Sequence, residues 1–462
     1  MFRLLTPRLA GLLAASLTAW LALFAAPAQA IPLFARQTGM QCSACHVGFP
    51  ELNTFGRQFK LMGYTLGTRQ TIPLAVMAIA GTNRISDNTT GIAPLPKNGD
   101  FALQAASLFT GGKITDHAGA FVQWTYNNLA GPDANNNYYG HSGIDNTDIR
   151  YTQRWSSKEQ DLIWGLTLHN APGVQDVWNS VPAWMFPYMS PALAVNANPS
   201  GAGDDPTFLD SQPRVTGLGT YAFLNNNWYG ELTLYRSSDG VFSVLRAGDT
   251  PNPITDRVAL KGYNPYWRLA YNLDAGPHSF MVGYYGINAK QYADYTQTDQ
   301  PTTRYLDNAI NMQYQYVGSP HIFTANLNWI HEKRNYDYDF NNTVGAASGH
   351  DNPTGTVNTF RAKGSYWYEH RYGATVGYFN NTTSTDALAY GASSYTNKGD
   401  SSGMMYELSY VPIQNIHIGL QYIAYNKRFG GSSYLSTDAN GNTVDRKASA
   451  DNTTYLYVWA AF

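Results

Sequence analysis

Cys42 and Cys45 are the only cysteines in a chain of 462 residues, and His46 follows the second of them directly. The run Cys42-Ser43-Ala44-Cys45-His46 is a C-x-x-C-H motif. Two thiols at this spacing reach the two vinyl groups on one edge of a haem. The adjoining imidazole then turns under the ring and binds iron from the proximal side. Other uses of paired thiols fit less well. A thioredoxin-like C-x-x-C needs no following His and belongs in a βαβ setting that is missing here. A zinc site wants four ligands, and no second cysteine pair exists. The spacing predicts one covalently attached haem c, held by Cys42 and Cys45, with His46 as proximal ligand.

For the other face of that iron the sequence offers Met62 as a tentative distal ligand. A short helix is expected from Pro50 to Tyr64, with Pro50 in its first turn and Leu52, Phe55, Phe59 and Met62 recurring at helical spacing. Phe55, Phe59 and Leu61 would then cover part of the ring. A thioether ligand would raise the reduction potential. The competing reading makes Met62 an apolar filler, with a histidine from elsewhere or an open position completing the iron. Met40 is too close to the motif to fold over it.

Haem is attached to protein outside the cytoplasm, and residues 1–30 are expected to be a signal peptide. Arg3 and Arg8 form the positive start, Leu9 to Ala26 the apolar stretch, and Ala28-Gln29-Ala30 the small residues for cleavage after Ala30. An uncleaved anchor is the alternative, since the stretch is long enough to span a membrane. Without Arg3 and Arg8, 28 basic residues stand against 32 acidic ones, which gives no reason to expect a nucleic-acid partner.

The elements that must position the motif are strands. Charged residues are only 13%, yet Tyr 34 and Gly 42 are abundant and aromatics reach 14%. That composition suits a barrel whose Tyr and Trp girdle the edges of a bilayer. Beyond about residue 71 period-two alternation recurs. Ile416, Ile418, Leu420 and Tyr422 share one face, against His417, Gly419 and Gln421. Phe323, Ala325, Leu327 and Trp329 oppose Thr324, Asn326 and Asn328. Phe360, Ala362, Tyr366 and Tyr368 oppose Arg361, Lys363 and Ser365. About sixteen such segments are expected, the usual porin size. They begin near residues 71, 101, 119, 146, 160, 215, 228, 263, 278, 305, 321, 357, 371, 403, 416 and 453.

Connections alternate in length. Short ones are Lys113–Ala118, Ser156–Glu159, Leu224–Asn227, Asp274–Pro277, Gly318–Pro320, Glu369–His370 and Ile413–Asn415. Long polar ones include Asn127–Asp145, Asn170–Pro213, Ser237–Lys261 and Lys427–Asn452. Short periplasmic turns and long outer loops are the habit of transmembrane barrels. An even strand number returns the chain to its starting side, so both mature termini are expected in the periplasm. The final strand, with its terminal Phe462, resembles an outer-membrane assembly signal. The expected fold class is all-β: a transmembrane antiparallel barrel of about 16 strands, its lumen plugged by the short α-helical haem segment. The expected domains are 1–30 signal peptide, 31–66 haem-binding segment and 67–462 barrel, in the outer membrane of a Gram-negative bacterium.

Inward faces are expected to carry both signs, Arg150, Arg154, Arg361 and Lys363 against Asp148, Glu231, Glu369 and Glu407. The longest loop, with Gln175-Asp176-Val177-Trp178-Asn179 and Pro182-Ala183-Trp184, is expected either to constrict the lumen or to lie over it as a plain lid. Asp133, Asp145, Asp204, Asp205 and Asp210, with His141 and His169, are candidates for gathering a divalent metal, although Asp and Asn are common in loops for their turn chemistry.

These residues together resemble the fused outer-membrane cytochrome–porins of iron-oxidising bacteria. The resemblance runs through Phe34-Ala35-Arg36-Gln37-Thr38-Gly39, Cys42 to His46, Pro50-Glu51-Leu52-Asn53, Phe55-Gly56-Arg57-Gln58-Phe59-Lys60 and Gly63-Tyr64-Thr65, and through the Gln175 to Asn179 loop. It implies a monohaem electron carrier across the outer membrane. The donor would be extracellular Fe(II), the acceptor a periplasmic c-type cytochrome, and the surroundings outer-membrane lipid. As an enzyme it would be an Fe(II):cytochrome c oxidoreductase. Two other functions are compatible with the same residues: a substrate-transporting porin with a structural or regulatory haem, and outward electron export. No nucleophile motif supports hydrolysis.

Overall fold

A computed structural model describes residues 32–48, 50–87, 98–132, 138–178, 205–246, 257–341, 349–438 and 440–462. The proposed signal peptide, Asp133, Asp204, Asn179 and Pro182-Ala183-Trp184 lie outside the described residues, as does the side chain of His141.

Sixteen long strands form the wall. They are β1 (Leu74–Ile85), β2 (Phe101–Lys113), β3 (Ala118–Pro132), β4 (Tyr138–Ser156), β5 (Asp161–His169), β6 (Thr216–Leu224), β7 (Trp228–Arg236) and β8 (Asn264–Ala275). The second half comprises β9 (His278–Tyr292), β10 (Thr303–Val317), β11 (His321–Tyr336), β12 (Thr354–Tyr368), β13 (Tyr372–Thr383), β14 (Ser401–Ile413), β15 (Ile416–Lys427) and β16 (Thr453–Ala461). Each pairs antiparallel with its chain neighbours, and β16 pairs with β1 from Thr453↔Ile85 to Ala461↔Met77. The sheet is therefore closed, with no edge strand, as backbone in a bilayer requires.

Alternation decides which face meets lipid. Leu420 and Tyr422 are exposed on the outer surface of β15, while His417 and Gln421 are buried on its inner side. Arg361, Lys363 and Ser365 are buried inside β12, and Tyr366 and Tyr368 lie outside. Trp155, Trp228, Tyr368 and Tyr372 stand outward beside the short turns, where an aromatic girdle belongs. A closed antiparallel barrel with this surface is an outer-membrane architecture.

All the expected strand starts but one fall within three residues of the observed ones. The exception is β4, which begins at Tyr138 rather than near 146, so Asn127–Asp145 is largely a paired hairpin and not a loop. Its register shifts between Val122/Trp124 and Asn127/Gly131. Asn127, Gly131, Pro132, Gly140 and Gly143 interrupt the period-two pattern along this stretch, which is why alternation missed it. The Lys427–Asn452 connection likewise contains a small hairpin, Ser433–Thr437 with Thr443–Lys447.

The N-terminal segment starts with helix α1 (Pro32–Thr38), which the periodicity did not reveal; it ends where Gly39 takes φ 69 and donates its N–H to Ala35 O. Helix α2 is Thr54–Leu61, shorter than the expected Pro50 to Tyr64. Pro50 is not in it. Glu51–Leu52 instead pairs antiparallel with His46–Gly48, and Asn53 caps the helix by accepting the Gly56 N–H at 3.0 Å.

The lumen is filled from both ends. From the short-turn side, Arg57 of α2 reaches Gln315 Oε1 at 2.6 Å and Ser279 Oγ at 2.7 Å on the inner wall. Glu51 accepts from Gln315 Nε2 at 3.1 Å and sits 3.7 Å from Lys363 Nζ. Tyr64 donates to Asp148 Oδ2 at 2.6 Å. In the middle, helix α3 (Pro172–Gln175) and Trp178 fold inward from the longest loop. Lys60 of α2 donates to the Val174 and Asp176 carbonyls, and Trp178 packs edge-on against Tyr229 at 5.1 Å. The start of this loop thus constricts the lumen. Towards the outer end, Leu209 N donates to Asp307 Oδ2 at 2.9 Å, and Arg361 pairs with Asp210 at 2.8 Å.

Candidate functional site

The haem motif sits at the short-turn mouth of the barrel. Cys42–Ala44 is a single 3-10 turn, closed by the Cys45 N–H on Cys42 O at 3.0 Å. Both thiols are half-buried and not joined in a disulfide. Cys42 Sγ lies 3.2 Å from Gln414 Oε1, on the turn between β14 and β15.

Helix α2 holds the motif in place through Asn53. Its side-chain oxygen caps the helix, its Nδ2 donates to Ala44 O at 3.0 Å, and its backbone N–H donates to Cys45 O at 2.9 Å. Gly56 lies against the same carbonyl; a Cβ there would stand 2.3 Å from Cys45 O. Only glycine permits this approach.

His46 is buried. Burial pulls its imidazole down to about 4, against the opposing pull of the Pro50 and Glu51 backbone, so it is neutral at ordinary pH. Its Nδ1 lies 3.3 Å from Pro50 O. A ring N–H donated there selects the tautomer whose Nε2 carries the lone pair, the arrangement found behind metal-binding histidines. Burial, reinforced by the neighbouring Cys42, pushes the Cys45 thiol up to about 11.

In front of this segment lies a cavity of about 290 Å³. The N-terminal segment supplies Cys42, Ser43, His46 and Val47 to its lining; the barrel supplies Trp367, His370, His417 and Trp459. The residue set fits a c-type haem. Two thiols and a neutral, tautomer-fixed imidazole share one mouth, with aromatic walls beside them. Cys42 and His46 line the cavity and Cys45 stands next to them, but Met62 does not join them. Met62 follows the end of α2 and packs with Leu61, Val177 and Trp178 in the mid-lumen. Phe59 is also turned away, onto Phe34 at 5.0 Å, and Leu61 belongs to the Met62 cluster. Phe59 and Leu61 thus do not line this cavity, whereas Val47, Trp367 and Trp459 do.

The three proposed metal-gathering acids among the described residues each pair with an arginine. Asp145 pairs with Arg214 at 2.6 Å, Asp205 with Arg334 at 2.8 Å, and Asp210 with Arg361. His169 is buried between Thr167 Oγ1 at 3.1 Å and Tyr235 OH at 2.8 Å. Residues that sequence reading left unassigned are His370 and His417. The available signal was His417 on the polar face of its strand, two positions beyond a short turn.

No protein-family model matches the sequence, and no characterised protein resembles it significantly. Among solved structures, the chain is similar to the outer-membrane channel DcaP of Acinetobacter baumannii, at 12% identity over 84% of this chain and 96% of that one, with TM-score 0.48. It is similar to OmpF of Salmonella typhi in complex with daunomycin, at 11% identity over 84% and 97%, with TM-score 0.46. OmpT of Vibrio cholerae gives 7% identity over 84% and 96%, with TM-score 0.44. All three TM-scores lie below 0.5, and the barrel assignment stands on the strand pairing itself.

Proposed function

We propose that this chain is a monohaem electron carrier of the outer membrane, taking an electron from extracellular Fe(II) and passing it to a periplasmic c-type cytochrome, as the resemblance to fused cytochrome–porins implies. The observation that carries the reading is the C-x-x-C-H segment seated on a cavity at the short-turn mouth, with its own helix packed into the lumen. Both termini are taken as periplasmic, and the short turns with them. A haem held by Cys42, Cys45 and His46 would supply one-electron chemistry between ferrous and ferric iron. Cys42 lies on the rim, within reach of a soluble partner. The buried ion pairs of the lumen keep donor and acceptor sides apart while ferric product stays outside.

The alternative is a transport porin with a tethered, structural haem. It draws on the position of the motif at the mouth rather than deep within the barrel. Two measurements separate the readings: stopped-flow haem reduction by Fe(II), and conductance in a planar bilayer. The carrier reading expects Fe(II) to reduce the haem and the barrel to conduct poorly. A wide conducting pore whose haem Fe(II) leaves oxidised would falsify it. The Cys42→Ala/Cys45→Ala protein should lose covalent haem altogether.

A further inference from the structure

We propose that His417, on the barrel wall, is the sixth ligand of the iron, opposite His46 of the N-terminal segment. The inference rests on the reading of Cys42–His46 as a haem motif and adds the residue that completes the iron.

His417 is the second residue of β15 and is 6% exposed. Neither ring nitrogen has a hydrogen-bond partner. Rings crowd it, Tyr457 at 5.5 Å, Trp367 at 6.1 Å and Trp459 at 6.1 Å between centroids, and Glu407 faces it as a charge without a hydrogen bond. An imidazole buried without a partner loses its water and regains nothing, a cost of about 1–3 kcal/mol. A wall residue of no function would more cheaply be Leu or Phe. The same ring lines the cavity that His46 and Cys42 line. A neutral imidazole satisfies its lone pair as well on iron as on a proton donor, and haem iron accepts axial His. The coordinate bond forms without releasing a proton.

His370 also lines the cavity, but it is only half-buried, on the turn between β12 and β13 at φ 53, whereas His417 is buried on the wall with neither nitrogen hydrogen-bonded. Met62 packs in the mid-lumen cluster. The two ligands of the pair come from the two parts of the molecule, so the iron would tie the N-terminal segment to the barrel.

The test uses the full-length protein matured with a haem-attachment system, in detergent. Wild type, His417→Leu, His370→Leu and Met62→Leu are compared by pyridine haemochromogen, optical spectrum and ferric EPR, with heat-modifiable gel mobility to verify that the barrel is folded. The expected result is a low-spin bis-imidazole signal in wild type, retained in H370L and M62L. It should be lost in H417L, with a high-spin signal in its place, and restored there by added imidazole. His417→Met should return a low-spin centre at a higher potential. Low-spin H417L, loss of the signal in H370L instead, or a high-spin wild type each overturn the assignment of His417. Absence of covalent haem from folded wild type overturns the haem reading itself, which is a different failure.

Discussion

The outer half of the lumen and the short-turn mouth are built from the same kinds of residue but obey different rules. In the outer half most buried charges are tied into pairs: Arg361 with Asp210, and Arg334 with Glu332 and Asp205, while Asp307 accepts the Leu209 N–H. Burying charge is tolerated there because pairing and hydrogen bonds offset desolvation. At the mouth the cavity is lined by a mixture of polar, aliphatic and aromatic residues, Trp367 and Trp459 among them, and the buried His417 has no hydrogen-bond partner. A closed polar network holds loops still. A buried base left unmatched, next to two thiols and a second imidazole, is equipped for a ligand. The contrast separates what seals the barrel from what reacts in it.

The comparison predicts effects that do not cross between the regions. The largest is expected for Asp210→Asn, which leaves the Arg361 guanidinium buried without its carboxylate. Stability should fall by about 3–5 kcal/mol, read as the denaturant midpoint in micelles, while the haem spectrum stays as in wild type. A spectral change as large as that of a mouth variant would show the two regions coupled. Gly56→Ala is next. The added methyl meets Cys45 O at 2.3 Å, so helix and motif must part. A loss of about 1–3 kcal/mol is expected, together with a shifted haem spectrum or lower attachment yield. A smaller change should follow Asn53→Ala, which removes the helix cap and the bond to Ala44 O. About 1 kcal/mol is expected, again with a spectral shift. The smallest belongs to Asp145→Asn, whose pair with Arg214 is part exposed. Its stability should change by roughly 0–1 kcal/mol, and its rate of haem reduction by Fe(II) should match wild type. A tenfold slower rate would return Asp145 to the list of metal-gathering acids.

Much of the architecture was legible along the chain because each signal is local. Alternation of side chains is a property of consecutive residues, so β15 and β12 announced their inner and outer faces, and the short turns announced the strand ends. The C-x-x-C-H run is likewise complete within five positions. Where glycine, proline and asparagine interrupt the pattern, as between Asn127 and Gly143, alternation vanished and the pairing was missed. The start of α2 was misplaced because Pro50 fits a helix start and a ribbon turn equally well, and the decision fell to the pairing of His46 with Leu52.

By itself, then, the sequence determined the barrel, its strand number, the two thiols with their imidazole and most of the inward charges, although Arg154 and Glu369, expected inward, are exposed at the short-turn end. Tertiary structure alone decided which barrel residues share a cavity with that imidazole. Met62 is near His46 in sequence but is carried by α2 into the mid-lumen. Gln414, 372 positions from Cys42, is brought into contact with its sulfur, and His417 comes with it. Closure of the sheet fixes which strands border the mouth, and the seating of the N-terminal helix fixes which way the motif faces. Both depend on contacts between residues hundreds of positions apart, which no local pattern encodes.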